Sequence, residues 1–202
     1  MPKKVDHDER REELTLAAWR VIAAKGIDEV TIRDIARESG YSSGVLAHYF
    51  KNKDDLLAHA LQLSHTRIRK RYDVEREKVE AADELKAILL DNLPLDEQRE
   101  METRIEMSFW ARALSNGDLH DIQQDESETL RALLRELVKQ AQKDGEIAAG
   151  HNREEVLELL GAMIDGLSLH ALLYPKRLPP KKQAKVMEFA LRLLAEGAED
   201  PA

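Results

Sequence analysis

Residues 31–53, TIRDIARESGYSSGVLAHYFKNK, contain two short apolar-patterned segments separated by a glycine, and they constrain the fold more than any other part of the chain. Thr31 can cap a first helix, with Asp34 as its reciprocal partner three residues later. Gly40 suits the left-handed residue that ends such a helix. Either Ser42 or Ser43 can cap the next one. Two short helices joined by a tight turn are typical of a helix-turn-helix.

The second of these helices has two different faces. Helical spacing points Val45 and Leu46 inward. The residues left for the outer face are Ser43, Gly44, Ala47, His48 and Tyr49. A face of small, polar and aromatic groups suits the major groove of DNA better than a protein core.

The pattern T-x-R-D-I-A-x-x-x-G-x-S-x-G-x-x-x-H-Y-F-x-x-K-x-x-L-L resembles the N-terminal motif of the TetR family of bacterial repressors, over residues 14–57 without a gap. Many members carry Tyr where this chain has Ala47, so one DNA contact that is usual in the family is expected to be missing. Residues 109–114, 130–137 and 162–173 are similar to the BetI-type branch, the regulators of choline and betaine metabolism. The resemblance implies a DNA-binding, ligand-responsive homodimer.

Eight residues are predicted to form the DNA-binding site. They are Thr31, Arg33, Ser42, Ser43, Gly44, His48, Tyr49 and Lys53. Side chains of the second helix contact base edges or phosphates, and Thr31, Arg33 and Lys53 fix the register on the backbone. Ser42 is expected to cap the helix rather than to read bases. Tyr49 has an alternative role, which is to pack in part against Leu56.

The chain is predicted to be all-α, with about nine helices. We expect a three-helix DNA-binding domain in residues 1–51 and a ligand-binding and dimerisation domain in residues 52–202. The net charge is −8, yet residues 1–51 carry nine Lys or Arg and nine Asp or Glu. The DNA-binding part is therefore neutral and the rest acidic, which predicts modest affinity with a steep salt dependence.

Composition favours a soluble cytoplasmic protein. There is no cysteine, and the N-terminus MPKKVDHDERRE lacks the apolar run of a secretion signal. No apolar stretch is expected to reach the roughly 20 residues that cross a bilayer. Even residues 156–173 are interrupted by Glu158, Asp165 and His170.

No catalytic pattern survives a check of its spacing, so an enzyme, a metal site and a cofactor are not predicted. There is no glycine-rich phosphate loop, no HExxH and no nucleophile elbow. His59 and His65 are six residues apart on a predicted helix and point to opposite sides.

A ligand site is predicted in the C-terminal part. Its candidate residues are Glu106, Met107, Phe109, Trp110 and His170. An aromatic wall beside a carboxylate suits a small ligand between helices, and the BetI-type resemblance implies choline as one possibility. The alternative is that Phe109 and Trp110 only fill the core. His170 and Asp165 can also be buried polar groups that meet across a dimer.

Residues 152–174 are predicted to form a helix that is apolar on nearly every side, which must be covered on both faces. In a chain of this size, a second copy of the chain is expected to cover one of these two faces. The last helix, about residues 181–197, is expected to take part in the same interface. Two recognition helices about 34 Å apart would read a palindromic operator.

Several points stay open at this stage. Trp19 either packs against the larger C-terminal part of the chain or remains half exposed. Lys3 and Lys4 lie in an N-terminal tail that either reaches DNA or is solvated. The basic cluster Arg67, Arg69, Lys70 and Arg71 is expected to be a solvated face or to form intersubunit salt bridges, rather than a second nucleic-acid site. An activator or a ligand-independent regulator would make the same DNA contacts as a repressor. A purely structural helical module would leave the outer face of the second helix unexplained.

Overall fold

Helices account for nearly all of residues 7–26, 29–76 and 83–196, the parts of the chain that the computed structural model describes. Within them lie α1 (His7–Lys25), α2 (Ile32–Ser39), α3 (Ser43–Tyr49), α4 (Lys53–Arg76), α5 (Glu84–Asp91), α6 (Glu97–Ala113), α7 (Gly117–Asp144), α8 (Arg153–Leu173) and α9 (Pro180–Ala195). The predicted all-α class and the nine helices are confirmed. The tail with Lys3 and Lys4 lies outside the described residues.

Contacts divide the chain into two compact units. The first unit is Met1–Arg67 with Arg104–Gln123, and the second is Ile68–Thr103 with Gln124–Ala202. Helices α4, α6 and α7 therefore each contribute residues to both units. The functional boundary at residue 51 falls inside the first unit and stays a prediction.

The core of the first unit forms beneath α1. Leu14, Ala18 and Ile22 recur at helical spacing and are buried, which packs α1 against the helix-turn-helix. Trp19 is also buried, and its indole Nε1 donates to the carbonyl oxygen of Ala60 on α4 at 3.0 Å. Trp19 therefore packs inside its unit rather than remaining half exposed.

The core of the second unit is aliphatic and draws on five helices. Its centre includes Leu89 of α5, Val138 of α7, Leu160 of α8 and Met187 of α9, all fully buried. Tyr72 of α4 packs at the same cluster.

Helix α8 carries two apolar stripes at helical spacing. The side that packs into the unit presents Leu157, Leu160, Ile164, Ser168 and Ala171. A second stripe is exposed and consists of Leu159, Ala162, Gly166, Leu169 and Leu173. Tyr174 after α8, and Phe189 and Leu193 on α9, are exposed as well. The expectation that α8 is apolar on nearly all sides is confirmed, and the described residues of a single chain leave one of those sides exposed.

Among the described residues, α8 is the one helix long and apolar enough to cross a membrane by length and composition. The prediction that no segment meets that standard was wrong, because Glu158 and Asp165 are too few to break it. The core helix of a soluble protein passes the same test, and α8 buries one of its stripes in the second unit.

Candidate functional site

Helix α2 is fixed at both ends by the predicted caps. The Thr31 hydroxyl accepts from the Asp34 amide at 3.2 Å, and the Thr31 amide donates to the Asp34 carboxylate at 3.1 Å. Hydrogen bonds from the Thr31 side chain and from Lys25 hold the pKa of Asp34 well below its usual value. Gly40 ends the helix with φ of 74°. The start and the end of α2 are therefore set by local sequence.

Ser42 is the N-cap of α3, which decides between the two candidate serines. Its hydroxyl accepts from the Val45 amide at 3.3 Å. Leu46 is fully buried, and the amide of Phe50 closes the helix on the Leu46 carbonyl. The cap and the buried leucine fix which face of α3 points away from the core.

That outward face is formed by small and polar residues. Ser43, Gly44, Ala47 and His48 are all exposed, as are Thr31 and Arg33 at the start of α2. A Cβ built on Gly44 would meet only the Ser42 hydroxyl oxygen, at 3.7 Å, which is an ordinary contact. The free protein therefore has space for a side chain at residue 44.

Tyr49 does not belong to that outward face, so its predicted position was wrong. Only 9% of the residue is exposed. It follows Leu46 by three residues and Val45 by four, which places it on the inner stripe of α3. Its hydroxyl lies 3.1 Å from Nδ1 of His7 on α1.

His7 is a neighbour of α3 that sequence reasoning missed. Its ring centroid lies 5.9 Å from that of Tyr49 and 6.3 Å from that of His48. His7 is 42 residues before Tyr49, and no local pattern connects them. Only tertiary packing brings them together.

Helix α4 begins beside α3 with the predicted cap. The Asn52 side chain accepts from the Asp55 amide at 2.8 Å, and the Asp55 carboxylate accepts from the Lys51 amide at 2.8 Å. Lys53, the first residue of α4, is half-buried. A helix N-terminus can bind a phosphate, but the first turn of α4 also carries the carboxylates of Asp54 and Asp55.

The predicted ligand residues fall in both units. Phe109 is fully buried, whereas Glu106, Met107 and Trp110 are half-buried on the part of α6 that belongs to the first unit. Glu106 lies 3.6 Å from the imidazole of His65. The indole Nε1 of Trp110 is buried, and the described residues offer it no hydrogen-bond acceptor.

His170 belongs to the second unit and is exposed on α8. Its ring lies edge-on to Tyr174, at 5.7 Å between centroids. Asp165 is exposed too, so neither side chain is buried within one chain. The structure does not place His170 in the same unit as the α6 candidates.

A cleft of about 340 Å³ lies in the second unit, away from the predicted ligand residues. Arg71, Asp91, Asp96 and Arg99 line it together with apolar side chains. Arg71 donates to both carboxylate oxygens of Glu102 at 2.8 Å, and to Asp91 at 3.0 Å. Burial alone lowers the pKa of Arg71, but the hydrogen bonds to Glu102 and Asp91 outweigh it and raise that pKa.

The other arginines of the basic cluster on α4 form salt bridges too. Arg67 contacts Glu12 at 3.4 Å, and Arg69 contacts Glu126 at 3.4 Å. The salt bridges of these arginines and of Arg71 are formed within the chain. The expected solvated face was wrong for Arg71, which is half-buried beside Glu102 and Asp91, whereas Arg69 is exposed as that expectation has it. Their charge is engaged by nearby carboxylates, which leaves little to attract a second nucleic acid.

Two family models match the chain. Residues 14–60 match the bacterial regulatory proteins of the TetR family, and residues 81–196 match the C-terminal domain of BetI-type transcriptional repressors.

The chain belongs to the TetR family.

Relatives agree with this over nearly the whole length. The HTH-type transcriptional regulator PksA of Bacillus subtilis is 31% identical over 188 residues, which is 93% of this chain and 90% of that protein. The regulator BetI of Escherichia coli O157:H7 is 30% identical, over 88% of this chain and 90% of its own. A crystal structure of a regulator from Saccharomonospora viridis in complex with choline superposes with a TM-score of 0.84, at 24% identity, over 92% of this chain and 97% of that one.

This TetR-family protein of the BetI type is a DNA-binding transcriptional regulator, and regulators of this family are not enzymes. The helix-turn-helix derived from residues 31–53 lies within the part that matches the family's DNA-binding domain. Within the described residues there is no group of three or more His, Cys, Asp or Glu that could hold a metal ion.

Proposed function

We propose that this protein is a cytoplasmic homodimeric repressor that binds a palindromic operator through α3 and is released by a small-molecule effector. The observation that carries the DNA-binding part is the outward face of α3. Caps at Thr31, Gly40 and Ser42 hold that face in place, and it presents small and polar groups. Polar groups on such a face can replace their hydrogen bonds to water with hydrogen bonds to base edges and phosphates in the groove.

Ser43, Gly44 and His48 contact base edges or phosphates of the major groove in this proposal. Thr31, Arg33 and Lys53 contact the phosphate backbone and set the register. Ser42 acts through the cap that orients the helix. Tyr49 supports α3 from its inner side, through the hydrogen bond between its hydroxyl and Nδ1 of His7.

Gly44→Ala tests the orientation of α3 sharply. A methyl group fits at residue 44 in the free protein, and alanine favours a helix by about 0.5–1 kcal/mol over glycine. The variant is therefore expected to unfold at the same or a higher temperature than the wild type. Its operator affinity should nevertheless fall at least tenfold, because the groove floor must approach the backbone at that point.

Gly117→Ala is the matched control, since a Cβ fits there as well and meets nothing within 4 Å. Affinity would be measured by fluorescence anisotropy with a duplex selected from a random-sequence pool. Wild-type affinity in Gly44→Ala would show that α3 does not approach DNA by this face. Failure to select any sequence would remove the DNA-binding proposal as a whole.

The exposed stripe on α8 supports the homodimer. Leu159, Leu169 and Leu173 remain 42–58% exposed, and Ala162 and Gly166 lie between Leu159 and Leu169 on the same stripe. Small residues at helical spacing permit two helices to approach closely, and leucines on either side provide the area. A two-fold axis through this face would pair α8 and α9 with their own copies and form a four-helix interface.

The effector is proposed to bind in the first unit near Glu106, Met107 and Trp110. Phe109 is fully buried on the same helix, and His170, which belongs to the second unit, is not part of this proposed site. The half-buried carboxylate and the indole Nε1 without a described acceptor support this location. The choline complex of the Saccharomonospora viridis regulator makes choline the first compound to test.

Calorimetric titration with choline would compare the wild type with Trp110→Ala. The exposed Leu114 of the same unit offers Leu114→Ala as a control. We expect binding to be lost in the first variant only. Unchanged choline binding by Trp110→Ala would leave Trp110 as a core residue, and no binding by the wild type would reject choline as the effector.

Release from DNA would operate through α4. This helix begins at Lys53, next to the recognition helix, and continues to Arg76. A change in its tilt would alter the separation of the two recognition helices in a dimer. Shifting the equilibrium from 1:99 to 99:1 requires about 5.5 kcal/mol of differential effector affinity, shared by the two sites of the dimer.

A further inference from the structure

Two histidines meet at the edge of the recognition helix. His48 is exposed on the outward face of α3, and His7 is exposed at the start of α1. Their ring centroids are 6.3 Å apart. Tyr49 joins them, with its ring 5.4 Å from that of His48 and its hydroxyl 3.1 Å from Nδ1 of His7.

Charge matters unusually in this region because residues 1–51 have no net charge when histidine is neutral. DNA affinity rests largely on the number of phosphates that a protein neutralises. Histidine is the residue whose charge ordinarily changes between pH 5 and 8. Protonation of His7 and His48 would change the net charge of this part from zero to positive.

We propose that His7 and His48 form a phosphate-binding pair at the edge of α3, and that protonation of the pair strengthens DNA binding. The inference rests on the proposed orientation of α3 towards DNA. In an imidazolium both ring nitrogens are donors. Nδ1 of His7 then donates to the Tyr49 hydroxyl, and Nε2 is available to a phosphate oxygen.

The neighbouring elements carry charged groups of both signs. Those on α1, α2, the turn and α4 include Glu9, Arg10, Arg11, Glu12, Glu13, Arg33, Asp34, Arg37, Glu38, Tyr41, Lys51, Lys53, Asp54, Asp55 and His59. Most of the carboxylates hold partners other than the two histidines: Glu12 contacts Arg67, Glu13 accepts from Tyr41, Asp34 contacts Lys25, Glu38 contacts Arg20, Asp54 contacts Arg112, and Asp55 accepts from the Lys51 amide. Glu9, two residues after His7 on α1, is an exposed carboxylate that favours the protonated form of a nearby imidazole.

The direction of the pH dependence follows from linkage. A phosphate favours the protonated imidazole, so the complex takes up protons when it forms. Affinity is therefore expected to rise as the pH falls across the range in which histidine ordinarily gains its charge.

The test is operator affinity at pH 5.8 and pH 7.8, measured by anisotropy over a series of salt concentrations. Each phosphate contact contributes about −0.9 to the log-log salt slope. Over the tenfold range from 1 M to 0.1 M salt, one added contact therefore raises the affinity about eightfold. The wild type should therefore bind between about eight- and sixtyfold more tightly at pH 5.8. The log-log salt slope should be steeper there by about 0.9 for each histidine.

Variants separate this pair from other histidines. His7→Gln with His48→Gln should remove the pH dependence, whereas His120→Gln, an exposed histidine of α7, should keep it. His48→Lys should bind tightly at both pH values because its charge is fixed. Melting temperatures at both pH values would show that the variants are folded.

Equal wild-type affinity at the two pH values would overturn the inference, and so would a pH dependence that survives in the double glutamine variant. Either result would leave the proposed function intact, because DNA would still be bound. Absence of sequence-dependent binding at both pH values would instead contradict the proposed function itself.

Discussion

Leu169 offers the most direct perturbation of the proposed dimer. It lies on the exposed stripe of α8, one turn after Gly166, and is 42% exposed in a single chain. Full burial of a leucine side chain is worth about 2 kcal/mol. Covering the exposed part therefore contributes about 0.8 kcal/mol per copy.

A two-fold interface contains every residue twice, which doubles the effect of a substitution. Leu169→Ala should cost about 1.7 kcal/mol per dimer and raise the dimer dissociation constant roughly 15-fold. Leu169→Glu should do much more, because it places two like charges in an apolar interface. The dimer is expected to dissociate at micromolar concentration.

Sedimentation equilibrium measures this directly, since one chain has a mass of 23.0 kDa and a dimer twice that. Leu114→Glu is the control, because Leu114 is 89% exposed and lies in the first unit rather than on α8. The same mass for Leu169→Glu and the wild type, with unchanged helical circular dichroism, would refute the assignment of this face. A wild type of 23.0 kDa at micromolar concentration would refute the dimer.

Two further predictions concern the helix-turn-helix unit. Asp34→Asn removes a carboxylate whose pKa is lowered on folding, so the variant should have a lower urea midpoint than the wild type at pH 6. That difference should shrink as the pH falls below about 3.8, where the unfolded wild type takes up the proton. Trp19→Phe leaves the Ala60 carbonyl oxygen without its buried donor and should destabilise the protein by about 1–3 kcal/mol. Thermal unfolding would measure it, and an unchanged melting temperature would show that the hydrogen bond contributes nothing.

Helix ends and helix faces were predictable because they depend on residues a few positions apart. Thr31 with Asp34, Gly40, and Asn52 with Asp55 act locally, and each forms the cap that its spacing predicts. The same local periodicity also held the correct position of Tyr49. The prediction placed it on the outer face, although its spacing of three residues from the buried Leu46 indicates the inner one.

Contacts between distant residues could not be predicted from the sequence. Arg71 joins Asp91 and Glu102, which are 20 and 31 residues away, and the cleft beside them depends on that arrangement. His7 reaches Tyr49 across 42 residues. Charge and polarity alone are compatible with many partners, and only the packing of helices selects among them.

The partners of the individual carboxylates explain how the DNA-binding part can bind DNA although it has no net charge. Glu38 pairs with Arg20 at 2.6 Å, and Glu13 accepts from the Tyr41 hydroxyl at 2.9 Å. Arg33, by contrast, is exposed at the start of α2 and is proposed to contact the phosphate backbone. Formal charge counts these groups equally, whereas a phosphate interacts mainly with charges within a Debye length of about 10 Å at 0.1 M salt. A neutral domain can therefore present a locally positive surface to DNA, provided that its acids are held in pairs away from that surface.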